Sequence, residues 1–255
     1  MNNLGDYYQY GIGVPIDINK SIYYYQEAIE KGNLDIAKIN LAMLFFEKIN
    51  SKKSPNKTIE LLLDATNSDN LEMRIVAMTN LGGVYKHLGY NVEAFVWTKK
   101  AAELDSEVAE TNLGFLFSEG IGTKPNAEKA LYWLNKAMDK KYPEAFFILA
   151  TIYKNGSKSI EKNYFKALEL YSIASDLDHG MAKNNLANML FNGQGIEPDR
   201  LRALNLYLDA ANSHNIAFSM YALYQIYSRG YEEIPKDLEE AKYWLEKAKE
   251  NGLDL

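Results

Sequence analysis

Apolar residues recur along the chain at intervals much longer than a single helix or strand. A leucine returns with spacings of 32 to 40 residues, and an apolar residue follows it four positions later. A second series, of alanines, returns independently with spacings of 36 to 38 residues. The leucines are Leu4, Leu41, Leu81, Leu113, Leu149, Leu186 and Leu223, and the alanines are Ala28, Ala65, Ala101, Ala137, Ala174, Ala210 and Ala248. Two registers with one period indicate seven repeated units.

Each unit is predicted to contain two helices, here called the first helix, with the leucine, and the second helix, with the alanine. A small residue stands seven positions before each alanine, and a bulky residue lies between them. The small residues are Ser21, Thr58, Ala94, Ala130, Ala167, Ala203 and Ala241, and the bulky ones are Tyr24, Leu61, Trp97, Trp133, Leu170, Leu206 and Trp244. Intervals of three, four and seven place these residues on one helical face.

Turn and capping residues separate the two helices. A Gly-x-Gly follows the first helix at Gly11 and Gly13, Gly120 and Gly122, and Gly193 and Gly195, and Gly156 and Gly230 keep the leading glycine. Such glycines supply the left-handed conformation that ends a helix. The second helices are predicted to begin after the N-cap residues Asp17, Ser54, Asn126, Asn163, Asp199 and Asp237, with Tyr90 as the exception.

These patterns predict an all-α protein, an α/α superhelical solenoid of about seven helical hairpins. We expect at least thirteen helices, no sheet, and units that contact only their neighbours. Residues 1–255 are predicted to form one solenoid domain, with repeats at about 1–33, 34–70, 71–106, 107–142, 143–180, 181–215 and 216–255. The first helix is shortened at the N-terminus, and neither end carries a polar capping helix. An end is therefore expected to dock on a partner or on another copy of the chain.

Composition narrows the classes of partner. The formal net charge is −6 at a pI near 5.3, which repels phosphate backbones and argues against nucleic acid. The absence of cysteine excludes disulfides and thiolate metal sites. No apolar run is long enough to span a membrane or to form a signal peptide. The expected location is the cytoplasm, or the periplasm or exterior if a leader was removed.

The sequence contains no recognisable catalytic or metal-binding motif. The Gly-x-Gly turns lack the context of a phosphate-binding loop, and there is no Gly-x-Ser-x-Gly nucleophile elbow. The three histidines, His87, His179 and His214, are far apart in sequence. We therefore predict no enzymatic activity, no cofactor and no metal.

Asparagine recurs one residue before the repeat leucine, at Asn3, Asn40, Asn80, Asn112 and Asn185, while Ile148 and Ala222 interrupt the series. Asparagine is a mediocre helix former, so the recurrence requires a reason. In one interpretation, the amides form hydrogen bonds between neighbouring units. In the other, they line an inner groove and pair with the backbone of an extended peptide.

The repeat resembles a known family. Leu4-Gly5-x-x-Tyr8-x-x-Gly11-x-Gly13-Val14 and Lys129-Ala130-x-x-Trp133-x-x-Lys136-Ala137 are similar to the two halves of the Sel1-like repeat, a relative of the tetratricopeptide repeat. The resemblance extends over nearly the whole chain. Two units depart from it: the second has Lys48–Lys53 in place of the glycine turn, and the third has the short loop Leu88–Asn91.

This resemblance implies an adaptor or scaffold without enzymatic activity that binds a protein or peptide on its concave face. It favours the groove interpretation, because the corresponding asparagine of peptide-binding tetratricopeptide proteins lies on that face. The predicted contacts are Asn40, Asn80, Asn112, Asn185, Phe115, Phe147, Asn188 and Tyr221, although aromatic residues at this spacing also suit a core. One alternative is a bacterial immunity protein that neutralises a cognate toxin or secreted effector, and an enzyme subunit ranks last.

Overall fold

The computed structural model describes residues 1–32, 34–48 and 55–254. These residues form fourteen α-helices joined by short turns. The helices are α1 (Asn2–Tyr10), α2 (Ile18–Gly32), α3 (Asp35–Lys48), α4 (Pro55–Ala65), α5 (Leu71–His87), α6 (Asn91–Ala102), α7 (Glu107–Glu119), α8 (Ala127–Asp139), α9 (Pro143–Asn155), α10 (Tyr164–Asp176), α11 (Gly180–Asn192), α12 (Arg200–His214), α13 (Ala217–Arg229) and α14 (Leu238–Glu250). Within this part of the chain, β-structure is limited to one bridge between Tyr231 and Ile234. The all-α solenoid class predicted from the repeats is confirmed.

The chain divides into two compact units. Unit 1 comprises residues 1–116 and 121–124, and unit 2 comprises residues 117–120 and 125–255. In unit 1, α1 packs on α2, α3 on α4 and α5 on α6, and each hairpin packs on the next; α3 also packs on α5. In unit 2, the hairpins α9–α10, α11–α12 and α13–α14 follow each other in the same way. The organisation as a single domain stays a prediction.

The repeat positions form the core of each unit. The alanines of the second helices are all buried, from Ala28 at 2% exposure to Ala248 at 0%. The leucines of the first helices are also buried, except Leu4, which is 40% exposed. Leu4 lies in the nine-residue helix α1, which packs on α2 and accepts a hydrogen bond from Asn40 of α3. In the described chain no hairpin precedes α1, so part of the Leu4 side chain stays in water.

The predicted capping residues lie at the starts of the second helices. The side chains of Asn126, Asn163 and Asp199 each accept a hydrogen bond from the backbone N–H three residues later, at 2.9 to 3.0 Å. Asp17 and Asp237 accept equivalent bonds, whereas Tyr90 makes no side-chain cap. These N-cap predictions are confirmed. Ser54 and the loop at 49–53 lie outside the described residues.

The glycine turns have the predicted left-handed backbone, and at one of them a side chain would not fit. Gly122 has φ of +68°, and a Cβ there would lie 2.0 Å from the backbone oxygen of Asn91 in α6. A turn between helices can approach a neighbouring backbone this closely only where no Cβ intervenes.

Candidate binding surface

In unit 2, the first helices of the hairpins are α9, α11 and α13, and the face that they form is called the first-helix face. Two of its predicted contacts lie next to Tyr171 of α10, whose ring is fully buried. The Tyr171 hydroxyl accepts a hydrogen bond from Asn185 Nδ2 at 3.2 Å and lies 2.9 Å from Thr151 Oγ1. The half-buried Phe147 ring has its centroid 5.9 Å from that of Tyr171. Burial raises the pKa of Tyr171, so the hydroxyl stays neutral. Phe147 and Asn185, predicted as separate contacts, are therefore brought together by one buried tyrosine.

His179 fixes the start of α11 against α9. Its Nδ1 accepts a hydrogen bond from the backbone N–H of Ala182 at 3.1 Å, and its Nε2 lies 2.8 Å from Glu144 Oε2. Because Nδ1 is an acceptor, Nε2 carries the proton and donates to the Glu144 carboxylate. The His179 ring also stacks on Phe147, with centroids 4.6 Å apart. One face of Phe147 is thus covered by a residue that no sequence motif identified.

Asn188 of α11 borders a cavity of about 180 Å³. Its Nδ2 donates to the backbone oxygen of Asn184 in the same helix at 3.0 Å. The cavity lies between α11 and α13, and its lining comprises Asn188, Phe191, Asn192, Tyr207, Ala222, Gln225, Ile226, Arg229 and Tyr231. The predicted contact Tyr221 is half-buried, lies with its ring centroid 5.5 Å from that of Tyr224, and packs on the core of unit 2.

The three asparagines predicted as contacts in unit 1 have different surroundings. Asn40 Nδ2 donates to Asp6 Oδ1 of α1 at 3.2 Å, as the interpretation of hydrogen bonds between units predicts. Asn80 is half-buried and makes no side-chain hydrogen bond among the described residues. Asn112 is exposed and borders a cavity of about 340 Å³, whose other lining residues are Gly82, Gly83, Lys86, His87, Thr98 and Leu116. The amides therefore do not share one structural role.

Phe115 is covered by a lysine. Lys86 Nζ lies 4.6 Å from the centroid of the Phe115 ring, in cation–π geometry. Burial lowers the pKa of the Lys86 ammonium, although the residue as a whole is exposed. Lys154 in α9, also five residues after its repeat leucine, has its pKa lowered by burial as well.

Two buried lysines were missed by the sequence interpretation. Lys183 of α11 is 6% exposed and pairs with Asp209 of α12 at 2.6 Å, and Lys38 of α3 is 4% exposed and pairs with Asp64 of α4 at 2.8 Å. Both lysines stand three residues before a repeat leucine, and both aspartates stand one residue before a repeat alanine. This shared register was a signal that could have identified the pairs.

The described residues contain no group of three or more His, Asp or Glu side chains that could hold a metal ion. None of the helices in this part of the chain has both the length and the apolar character needed to cross a membrane.

A family model described as the Sel1 repeat matches residues 1–33, 75–106, 108–142, 143–179, 180–215 and 217–253. The chain belongs to the Sel1 repeat family. Chitin synthase regulatory factor 2 of Schizosaccharomyces pombe is 32% identical over 104 residues, which are 41% of this chain and 20% of that protein. The chain spans only 11 to 32% of the length of the first curated relatives that it matches.

Solved structures share the fold. A Sel1 repeat protein from Oxalobacter formigenes has a TM-score of 0.60 and 24% identity, covering 98% of this chain and 86% of that one. The immunity protein Pa5087 from Pseudomonas aeruginosa has a TM-score of 0.57 and 17% identity, covering 85% of this chain and 81% of that one. At these identities the likeness is one of fold alone. Sel1 repeat proteins generally mediate protein–protein interactions.

Proposed function

We propose that this chain is a non-enzymatic scaffold or adaptor that binds a protein partner along the face of its first helices. The observation that carries the proposal is the composition of that face in unit 2. Helices α9, α11 and α13 contain one acidic residue, Glu144, in a protein whose net charge is −6. The same helices contribute the half-buried rings of Phe147 and Tyr221. A face that departs from the acidic character of the molecule is suited to a partner.

The chemistry of this face fits an extended peptide. Amide side chains offer both a donor and an acceptor, as a peptide backbone does. Each Nδ2 of Asn185 and Asn188 makes one hydrogen bond within the chain, and Asn185 Oδ1 accepts one from Asn184 Nδ2, so what each amide offers a partner is its second N–H and the remaining lone pairs of its oxygen. Aromatic rings supply much of the binding energy of protein interfaces, which assigns the anchoring role to Phe147 and Tyr221.

For unit 1, we propose Asn40, Asn80, Asn112 and Phe115 as the contacts. The choice of Asn112 is supported by the cavity that it lines together with Lys86. The choice of Phe115 is supported by its contact with the same lysine. Asn40 would contribute its amide oxygen, because its Nδ2 donates to Asp6.

A second candidate function is that of a bacterial immunity protein. Pa5087 shows that a protein of this fold can carry that description, and an acidic surface suits a basic toxin. The two functions differ in affinity and in the number of partners. A scaffold is expected to bind peptides or several proteins with micromolar dissociation constants, whereas an immunity protein binds one toxin far more tightly and abolishes its toxicity.

The proposal can be tested with matched aromatic variants. Peptides selected from a displayed random library against the wild type would be measured for affinity to Phe147→Ala and Tyr221→Ala. Phe165 in α10 is 72% exposed and Tyr243 in α14 is 48% exposed, so Phe165→Ala and Tyr243→Ala are controls on the second helices. We expect the first-helix variants to lose about 1 to 3 kcal/mol of binding free energy, and the controls to lose little.

Stability must be measured on the same samples, because Phe147 and Tyr221 also pack on the core. A loss of affinity counts only where the protein remains folded at the assay temperature. Selection of peptides whose binding depends on Phe165 or Tyr243 and not on the first helices would refute the proposed face.

A further inference from the structure

Three tyrosines occupy one position of the repeat, three residues before the repeat alanine: Tyr25, Tyr171 and Tyr207. Their rings are buried at exposures of 0, 0 and 2%. The Tyr25 hydroxyl lies 2.7 Å from both Asp6 Oδ1 and Gln9 Oε1, and the Tyr171 hydroxyl contacts Thr151 and Asn185. The Tyr207 hydroxyl has no hydrogen-bond partner among the described residues.

The repeat register explains why Tyr207 lacks partners. The Tyr171 hydroxyl is hydrogen-bonded to Asn185, which directly precedes the repeat leucine Leu186 of the next hairpin. It is also hydrogen-bonded to Thr151, which stands two residues after Leu149, the repeat leucine of its own hairpin. For Tyr207 the first position is Ala222, where the asparagine series is interrupted. The second position is Asn188, whose Nδ2 donates to its own helix instead. Replacement of an amide by a methyl group thus removes a partner and leaves space.

That space is the cavity of about 180 Å³ between α11 and α13, and Tyr207, Ala222 and Asn188 all line it. Gln225 and Arg229, one and two turns after Ala222, line it as well and are exposed. The Gln225 and Arg229 side chains form no ion pair or hydrogen bond with the described part of the chain. The Tyr207 hydroxyl makes no hydrogen bond with the described residues and opens onto this polar cavity, so its hydrogen-bonding capacity is available to a group that enters from outside.

The charges around the cavity favour an anion. Helices α11 and α13 contain no aspartate or glutamate. Arg229 lines the cavity. Tyr231 lines it as well, and the Arg200 guanidinium lies 5.3 Å from the centroid of the Tyr231 ring. Glu232 and Glu233 follow in the loop but are not part of the lining. Burial raises the pKa of Tyr207, so its hydroxyl is a neutral donor at physiological pH.

We infer that this cavity binds a carboxylate of the protein partner, with the Tyr207 hydroxyl and the Gln225 amide as donors and Arg229 as the counter-charge. The inference rests on the proposed function and specifies the chemistry of its partner. A carboxylate is the anion that an unmodified protein offers, either at its C-terminus or on an aspartate or glutamate side chain. Arginine matches that group with a planar pair of donors.

The experiment uses three small probes and the full chain. N-acetylalanine carries only a C-terminal carboxylate, N-acetylglutamate amide carries only a side-chain carboxylate, and N-acetylglutamine amide is neutral. Each is titrated while the NMR signals of the Asn188 and Gln225 side-chain amides and the Arg229 Nε–H are followed. We expect saturable shifts with at least one of the two acids and none with the neutral probe. The acid that binds more tightly identifies the source of the carboxylate.

Variants then test the assigned groups. Tyr207→Phe removes only the hydroxyl, and Arg229→Gln removes the charge; each is expected to weaken binding about tenfold or more, as befits hydrogen bonds to a charged group. Ala222→Asn restores the repeat asparagine, so it is expected to abolish binding while raising the melting temperature. Arg202→Gln, on exposed α12 surface, is the matched control and is expected to bind as the wild type.

Equal shifts with all three probes, or no shift with either acid, would overturn the carboxylate site. Unchanged binding in both Ala222→Asn and Tyr207→Phe would overturn it too. The library peptides separate this failure from that of the proposed function. If their binding still depends on Phe147 and Tyr221 but not on any peptide carboxylate, the binding face stands and the cavity assignment alone fails.

Discussion

Lys183→Met should cost little stability, even though it removes a buried ion pair. Lys183 Nζ lies 2.5 Å from Asp178 Oδ1 and 2.6 Å from Asp209 Oδ2, and its side chain is 8% exposed. The side chains of the two aspartates are 74% and 44% exposed. When the lysine is removed, both carboxylates return to water, and methionine occupies a similar volume without a desolvation cost. We expect a loss of about 1 kcal/mol in the free energy of unfolding.

Removal of the carboxylates should be more damaging than removal of the lysine. In an Asp178→Asn/Asp209→Asn variant, the Lys183 ammonium stays buried and loses both counter-charges. Asp178 has φ of +63°, which asparagine tolerates, so the substitution adds no backbone strain. An uncompensated buried charge is more costly than a lost pair. The double variant is therefore expected to be less stable than Lys183→Met.

The pH dependence of stability provides an independent check. Hydrogen bonds from Lys183 hold the pKa values of Asp178 and Asp209 below their ordinary value of 3.8. A depressed folded-state pKa contributes stability above the unfolded pKa of about 3.9, and this stability is lost as the pH falls through the folded pKa. Since Lys183→Met removes the largest cause of the lowered pKa values, its difference in stability from the wild type should shrink below about pH 4.

Equilibrium urea unfolding at neutral and acidic pH would measure these differences. Lys38→Met, which removes the equivalent lysine of unit 1, should likewise cost little stability at neutral pH. A Lys183→Met variant less stable than the double aspartate variant, or a difference from the wild type that does not change with acidification, would refute the reasoning.

Three further substitutions test the local contacts by thermal and urea unfolding. His179→Ala removes the cap on the Ala182 N–H and should cost about 1 kcal/mol, with His179→Asn recovering most of it; no recovery would contradict the capping role. Gly122→Ala should cost more than about 1 to 2 kcal/mol, because left-handed strain adds to the clash with the Asn91 oxygen, and an unchanged stability would exclude that clash. Tyr171→Phe should cost about 1 kcal/mol, and no loss would show that its hydroxyl bonds are not stabilising.

The fold was predictable from the sequence because its causes lie within one repeat. A leucine, an alanine and a cap residue each act on their own hairpin, so their spacing alone located the helices. The capped starts of α8, α10 and α12 follow from Asn126, Asn163 and Asp199. The exposure of Leu4 was not predictable in this way, because it depends on which helices lie beside α1 and not on the spacing of residues within the repeat.

The candidate site was less predictable, because its contacts join different repeats. Spacing placed Asn40 and Asn185 on the first helices, but it did not show that their amide groups bond to Asp6 and Tyr171. It also placed Phe147 correctly on α9 without identifying His179 as the ring stacked on it. These partners are 14 to 34 residues away along the chain, where a one-dimensional pattern carries no information about distance in space.

The interruption of a repeat is then more informative than the repeat itself. Where Asn185 follows Tyr171, the polar groups of the two hairpins satisfy each other and the interface is closed. Where Ala222 follows Tyr207, the same backbone geometry leaves a hydroxyl without a partner and a cavity beside it. A fold stabilised by recurring contacts can lose one of them at a cost of about 1 kcal/mol, which a repeat protein tolerates. In such a protein, a position where the register is broken is therefore a place to look for a site that takes one specific chemical group, in addition to the face on which the register is kept.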